Sequence, residues 1–194
     1  MTVLNVAMFG SDELAKSIAK ATDQRDVHTY VHKEYQDEVA KIISIIRPAR
    51  YPERLRPLLN AISAGRVGII EVNSVDATLG EVLVAFASSS INLGLVVINP
   101  PNDEWIDEEM VKKMLAQAGL SKWKFIANDG VEIRNALYQL MEEIEQELVD
   151  SAASQLVVSI DQYFNVKGIG LVAIGYVPVS YTHLRAHETK KHLV

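Results

Sequence analysis

Val3-Leu4-Asn5-Val6-Ala7-Met8-Phe9-Gly10-Ser11-Asp12-Glu13-Leu14-Ala15-Lys16-Ser17 is the stretch on which the fold turns. Residues 3–9 are an almost unbroken apolar run ending at a glycine, the pattern of a buried strand. Ser11 is a good helix N-cap, and Asp12 and Glu13 fall in the first turn, where carboxylates favour the helix dipole. The spacing predicts a helix running on to about residue 22. A strand, a glycine and a helix in that order can hold phosphate, because open N–H groups at a helix start face an anion. The phosphate-loop pattern is G-x-x-x-x-G-K-S/T. Gly10, Lys16 and Ser17 stand at its spacing, with Ala15 in place of the second glycine. Alone the match is weak, since a lysine on a surface helix is ordinarily just solvated.

Working outward, strands are predicted over 27–35, 39–47, 67–72, 93–98 and 123–127, the first two close enough for an antiparallel pair. Helices are predicted over 52–64, 77–91, 107–118 and 131–152, with Pro100-Pro101 as a break. Strands alternating with helices imply a mainly parallel sheet covered on both faces. Beyond Ser154 the pattern changes to two β runs, 156–166 and 169–177, joined at Lys167-Gly168 with no helix between. The expected fold class is α/β over residues 1–153, followed by the start of an all-β unit over 154–177.

Of the 194 residues, 48% are hydrophobic and 23% charged, a globular composition. No apolar run reaches the roughly 18 to 20 residues of a membrane span, and no leader pattern opens the chain. No membrane partner is expected, and the absence of cysteine suits a cytoplasmic location while removing disulfides and thiolate metal sites. The net charge of −6 argues against a surface that coats nucleic acid generally. Glu142, Glu143, Glu145 and Glu147 read as a solvated helix face, and His28 and His32 lack an obvious third ligand, so no metal is expected. Residues 179–189, V-S-Y-T-H-L-R-A-H-E-T, read as one frame of a transposase-type sequencing adapter, and the frame stays consistent to Val194. Residues 178–194 are therefore read as adapter read-through rather than native protein. His183, His187 and His192 are then no metal cluster, and the native chain is expected to continue past Val177.

Residues 46–72 resemble, without gaps, the segment of elongation factor Tu and selenocysteine-specific elongation factors that runs from D-x-P-G-H into the strand V-V-D-A. Residues 73–81 resemble that family's turn into its next helix, and 93–102 its strand leading to N-K-x-D. Residues 159–177, S-I-D-Q-Y-F-N-V-K-G-I-G-L-V-A-I-G-Y-V, look like the family's I-D-x-x-F-x-I-K-G-x-G-T-V-V-T-G-x-V, with Gly168 and Gly170 fitting a tight bend. The resemblance covers essentially residues 1–177 and marks the chain as similar to a divergent, archaeal-type member of this superfamily of translation GTPases. It implies a P-loop GTPase-like domain, then a truncated second β-barrel domain.

The departures carry the functional expectation. The family's Mg²⁺-holding aspartate is here Arg47, its γ-phosphate glycine Arg50 and its water-positioning histidine Tyr51. In N-K-x-D the lysine is Pro100 and the aspartate Asn102, leaving only Asn99. The stretch before the third strand is short for a first switch loop. Asp12 and Glu13 set carboxylates where triphosphate oxygens would go, and like charges at about 4 Å repel by roughly 1 kcal/mol in water. The resemblance thus implies a degenerate nucleotide site at Gly10, Lys16, Ser17 and Asn99, with no catalytic residue and no metal. The leading expectation is a pseudo-GTPase acting as a translation-linked binding or adaptor protein, with no cofactor. The alternative is a translation factor that binds GTP or GDP with Mg²⁺ and retains weak GTPase activity. Arg47, Arg50, Arg54 and Arg56 form a basic cluster, read as a solvated face, as internal partners of Asp12 and Glu13, or as an RNA contact. Partners implied are tRNA or the ribosome, reached through later domains, or another protein.

Overall fold

The N-terminal apolar run becomes β1 (Thr2–Phe9), at the middle of a seven-stranded sheet. The structure is a computed structural model and describes residues 2–25, 27–36, 39–150 and 159–176. After β1 come α1 (Asp12–Ile18), β2 (Lys20–Gln24), β3 (Val27–Gln36), β4 (Val39–Pro48) and α2 (Leu55–Ala64). Then follow β5 (Val67–Val72), α3 (Ala77–Ala87), β6 (Leu93–Ile98), α4 (Glu108–Ala118), β7 (Lys124–Ile126) and α5 (Gly130–Asp150). The strand order is β2-β3-β4-β1-β5-β6-β7. From β4 to β7 the strands run parallel, while β2 and β3 form an antiparallel edge. An antiparallel hairpin, β8 (Ser159–Val166) and β9 (Gly170–Tyr176), forms a separate two-stranded sheet. The expected α/β class, mostly parallel with helices on both faces, is present.

Strand periodicity divides the core into two layers. Along β5, Val67 and Ile69 face α1 and α5, whereas Ile70 and Val72 face α2, α3 and α4. The first layer adds Leu4, Val6 and Met8 from β1 and Ile133, Leu137 and Leu140 from α5. The second is centred on Phe86 and Trp123, whose rings meet edge-on with centroids 5.2 Å apart. Burying one such side chain contributes roughly 1.5–3 kcal/mol, so these layers supply most of what holds the sheet flat against its helices. Trp123 lies directly on the backbone of two neighbouring strands. A Cβ on Gly68 would stand 2.2 Å from its Cη2, and one on Gly94 2.5 Å from its Cδ2.

Three helix boundaries differ from expectation. α1 stops at Ile18 instead of continuing to about residue 22, because Ala19 turns extended and the next residues pair with β3. There the Thr22 and Thr29 hydroxyls lie 2.9 Å apart across the strands, a cross-strand pair that outweighs weak helix propensity. α2 begins at Leu55 rather than Pro52, after a turn containing a cis Tyr51–Pro52 bond. α3 ends at Ala87 rather than near Ile91. The hydroxyls of Ser88 and Ser89 close the helix end by donating to the carbonyls of Val84 and Phe86 at 2.8 and 2.6 Å. The expected end of the last helix near residue 152, and the native or adapter character of 178–194, lie outside the described residues.

Because the ring of Trp123 occupies the space above Gly68, Gly68→Ala is expected to destabilise the fold by about 1–3 kcal/mol through overpacking. Urea unfolding checks this; an unchanged midpoint would contradict the packing described.

Candidate functional site

The site grows from the C-terminal ends of β1, β5 and β6, the end of an open parallel sheet where ligands bind in this architecture. Pairing sets Met8 beside Ile69, and Glu71 beside Val97. Gly10, Glu71 and Asn99 therefore arrive together just past the strand ends. Glu71 is almost wholly buried, at 2% exposure, on the layer facing α1. Its Oε2 accepts the backbone N–H of Ser11 in a short hydrogen bond, and its Oε1 accepts from Asn99 Nδ2 at 2.7 Å. Asn99 is fixed in turn by its own N–H, which donates to the Val72 carbonyl at 2.9 Å. A Cβ at position 10 would come within 2.9 Å of both Glu71 Cβ and Oε2, so only glycine leaves room for this carboxylate.

The helix that follows has no preceding phosphate loop. α1 starts at Asp12, with Ser11 as N-cap accepting from Leu14 N–H at 3.1 Å. Residues 12–15 are helical, and Leu14 and Ala15 are buried in the α1–α5 layer. Lys16 and Ser17 consequently lie in the last turn of α1 rather than beside an anion at its start. Lys16 Nζ pairs with Asp12 Oδ2 at 2.5 Å, and Ser17 Oγ donates to the Leu14 carbonyl at 2.7 Å. Of the four residues expected to share a nucleotide site, Gly10 and Asn99 meet through Glu71, while Lys16 and Ser17 have other partners.

Asp12 is not the acceptor of the Ser11 N–H, which Glu71 takes. Asp12 accepts a short hydrogen bond from the hydroxyl of Tyr30, a fully buried β3 residue. The Lys16 ammonium first, then the Tyr30 hydroxyl, hold the Asp12 carboxyl below the usual carboxylate range. Burial, and then the bond to Asp12, push the Tyr30 hydroxyl up to about 12. Arg47 lies near enough to act on both groups, and its Nη1 donates to the Pro48 carbonyl at 3.2 Å. The internal anion at the helix start is thus Glu71, not the Asp12 or Glu13 expected from the sequence; Glu13 is exposed.

The remaining expected positions are dispersed. Arg50, Arg54 and Arg56 are exposed on the turn before α2 and its first residues, whereas Arg47 is half-buried on β4. The Tyr51 hydroxyl donates to Glu81 Oε2 at 2.9 Å, and its ring meets Phe9 edge-on at 5.8 Å. Asn102 takes a left-handed backbone, φ 54°, and is exposed. The short stretch after α1 is the edge strand β2. His32 packs against Tyr138, and among the described residues no group of three or more His, Asp or Glu is arranged to hold a metal. A hollow of about 940 Å³ lies elsewhere, between α2 and α3.

Glu71 and Tyr30 escaped the sequence reading. A signal for Glu71 was present: one acidic residue inside the otherwise apolar run Val67-Gly68-Ile69-Ile70-Glu71-Val72, where a buried charge needs partners.

A bacterial selenocysteine-specific elongation factor, EF-Sec, shares the architecture with a TM-score of 0.51 over 90% of this chain and 34% of its own, at 16% identity. An uncharacterised protein of Methanocaldococcus jannaschii is 27% identical over 196 aligned residues, covering 98% of this chain. The chain spans 59% of the length of that protein. No family model matches. The chain therefore has a fold like that of a translation elongation factor, and none of its described helices is long and apolar enough to cross a membrane.

Two outcomes test the site. Glu71→Ala strands the Ser11 N–H and the Asn99 amide in a cavity and is expected to cost about 2–4 kcal/mol. Glu71→Gln keeps the volume and one acceptor and should cost less than Glu71→Ala in urea unfolding; equal costs would contradict the two-armed contact. Asp12 has a folded pKa below its unfolded 3.8, so its contribution is full above that value and is lost as pH falls through the lower folded value. Asp12→Asn should accordingly flatten the acid limb of a stability–pH curve below about pH 4. An unchanged acid limb would remove Asp12 from the account.

Proposed function

We propose that this chain is a non-hydrolysing relative of the translation GTPases, a pseudo-GTPase that serves as a translation-linked binding or adaptor protein. The elongation-factor-like fold supports the first half of that reading. One observation carries the second: the Glu71 carboxylate accepts the Ser11 N–H at the helix start, where a phosphate oxygen would have to bind. A nucleotide's phosphates fit these residues poorly. They would meet a buried carboxylate and a helix with Leu14 and Ala15 turned into the core, while Lys16 stands in the last turn of α1, away from the helix start. Repulsion of two unit charges about 4 Å apart approaches 4 kcal/mol at an intermediate dielectric, more than one surface lysine recovers. The Mg²⁺ position of the resembling family carries Arg47, a donor that cannot ligate a cation.

Partner recognition then belongs to surfaces rather than to a reaction, with tRNA, the ribosome or another protein as the class of partner. Titration with fluorescent GDP and GTP, with and without Mg²⁺, is the test. No saturable binding at micromolar nucleotide is expected, and no phosphate release. Micromolar, Mg²⁺-dependent binding would overturn the proposal in favour of a GTP-binding factor with weak residual GTPase activity.

A further inference from the structure

A second hollow, of about 530 Å³, opens beside the C-terminal end of α1, away from Glu71. Its lining includes Lys16, Lys20, His32 and Arg134, with Ile18 and Ala21 beside them and no acidic residue. In a chain of net charge −6 this is a local concentration of positive charge. The four basic side chains come from α1, β2, β3 and α5, so the fold, not the local sequence, assembles them.

Arg134 is held in place. Its Nε donates to the Ile18 carbonyl at 3.0 Å and its Nη2 to the Ser17 carbonyl at 3.2 Å. Carbonyls at a helix end would otherwise repel an anion, and these two bonds cover them with a guanidinium. Lys20 projects, exposed, from the edge strand, and Lys16 is half exposed beside its Asp12 partner. His32 is flanked by the Tyr138 ring, with centroids 6.3 Å apart, by Arg134 from α5 and by Glu34 from its own strand. Burial, then the Arg134 charge, lower its pKa against the opposing pull of Glu34. Two lysines and the guanidinium N–H groups of Arg134 that are not bonded to these carbonyls suit a multiply charged tetrahedral anion better than a single carboxylate.

We infer that this hollow is a phosphate-binding site, held by Lys16, Lys20 and Arg134, for a phosphate of a single-stranded RNA backbone or of a small phosphorylated molecule. The site does not depend on the absence of nucleotide at Glu71. The two lie at opposite ends of α1, about 10 Å apart along a seven-residue helix.

The His32 ring reports on occupancy without any assay of activity. Its NMR signals are followed while the protein is titrated with inorganic phosphate and, separately, with a short single-stranded RNA. A bound anion favours the imidazolium, so saturable shifts and a raised His32 titration midpoint are expected. Saturation by inorganic phosphate assigns a small phosphorylated ligand, and saturation by RNA alone assigns the strand backbone. Lys20→Glu, an exposed change on an edge strand, should weaken binding about tenfold, and Lys20→Arg should preserve it. For RNA, Lys20→Glu should also lower the slope of log affinity against log salt by roughly 0.7. Absence of a His32 response to either ligand, or binding by Lys20→Glu as tight as by the parent, would overturn the assignment.

Discussion

The bond between the Glu71 carboxylate and the Ser11 N–H is the constraint around which the rest of this end of the molecule is arranged. A carboxylate that is 2% exposed has to be hydrogen-bonded, and Glu71 finds one donor on the chain leaving β1 and another on Asn99 beyond β6. It thereby ties together the ends of three adjacent parallel strands. Gly10 follows from it, because no Cβ fits against the carboxylate. The side-chain amide of Asn99 follows as well, since its Nδ2 supplies the second donor.

The same bond explains why the first helix begins so early. Open N–H groups at a helix start need an acceptor, which a ligand's phosphate can provide. Here the protein provides its own: Glu71 for Ser11, and the Ser11 hydroxyl for Leu14. With those donors satisfied, the chain winds into helix at Asp12, and Leu14 and Ala15 complete the core against α5. Lys16 is carried one turn away and neutralises Asp12, while Tyr30 reaches up from β3 to the same carboxylate. The spacing of a phosphate loop is retained in residues whose backbone is not a loop.

Much of the architecture was legible in the sequence because strand burial writes itself as apolar runs. The strands expected near residues 3, 27, 39, 67 and 93 all appear, and the antiparallel pairing of the second and third of these is correct. The helix ends were less legible, because tertiary competitors decide them. Thr22 joins a strand once β3 is beside it, and the hydroxyls of Ser88 and Ser89 close α3. The site was legible only in part. Motif spacing counts residues and says nothing of backbone conformation, so Gly10, Lys16 and Ser17 looked like neighbours of one anion. Glu71 announced itself only as an acid in an apolar strand. Lys20, His32 and Arg134 share a hollow although nothing in their sequence positions relates them.

A crystal structure of the protein grown with excess GDP and Mg²⁺ examines the central claim most directly. The account predicts Glu71 still bonded to the Ser11 N–H and to Asn99, with α1 beginning at Asp12 and no diphosphate at the strand ends. A diphosphate seated on the Ser11 N–H, with the Glu71 carboxylate displaced and residues 11–15 unwound into a loop, would contradict it.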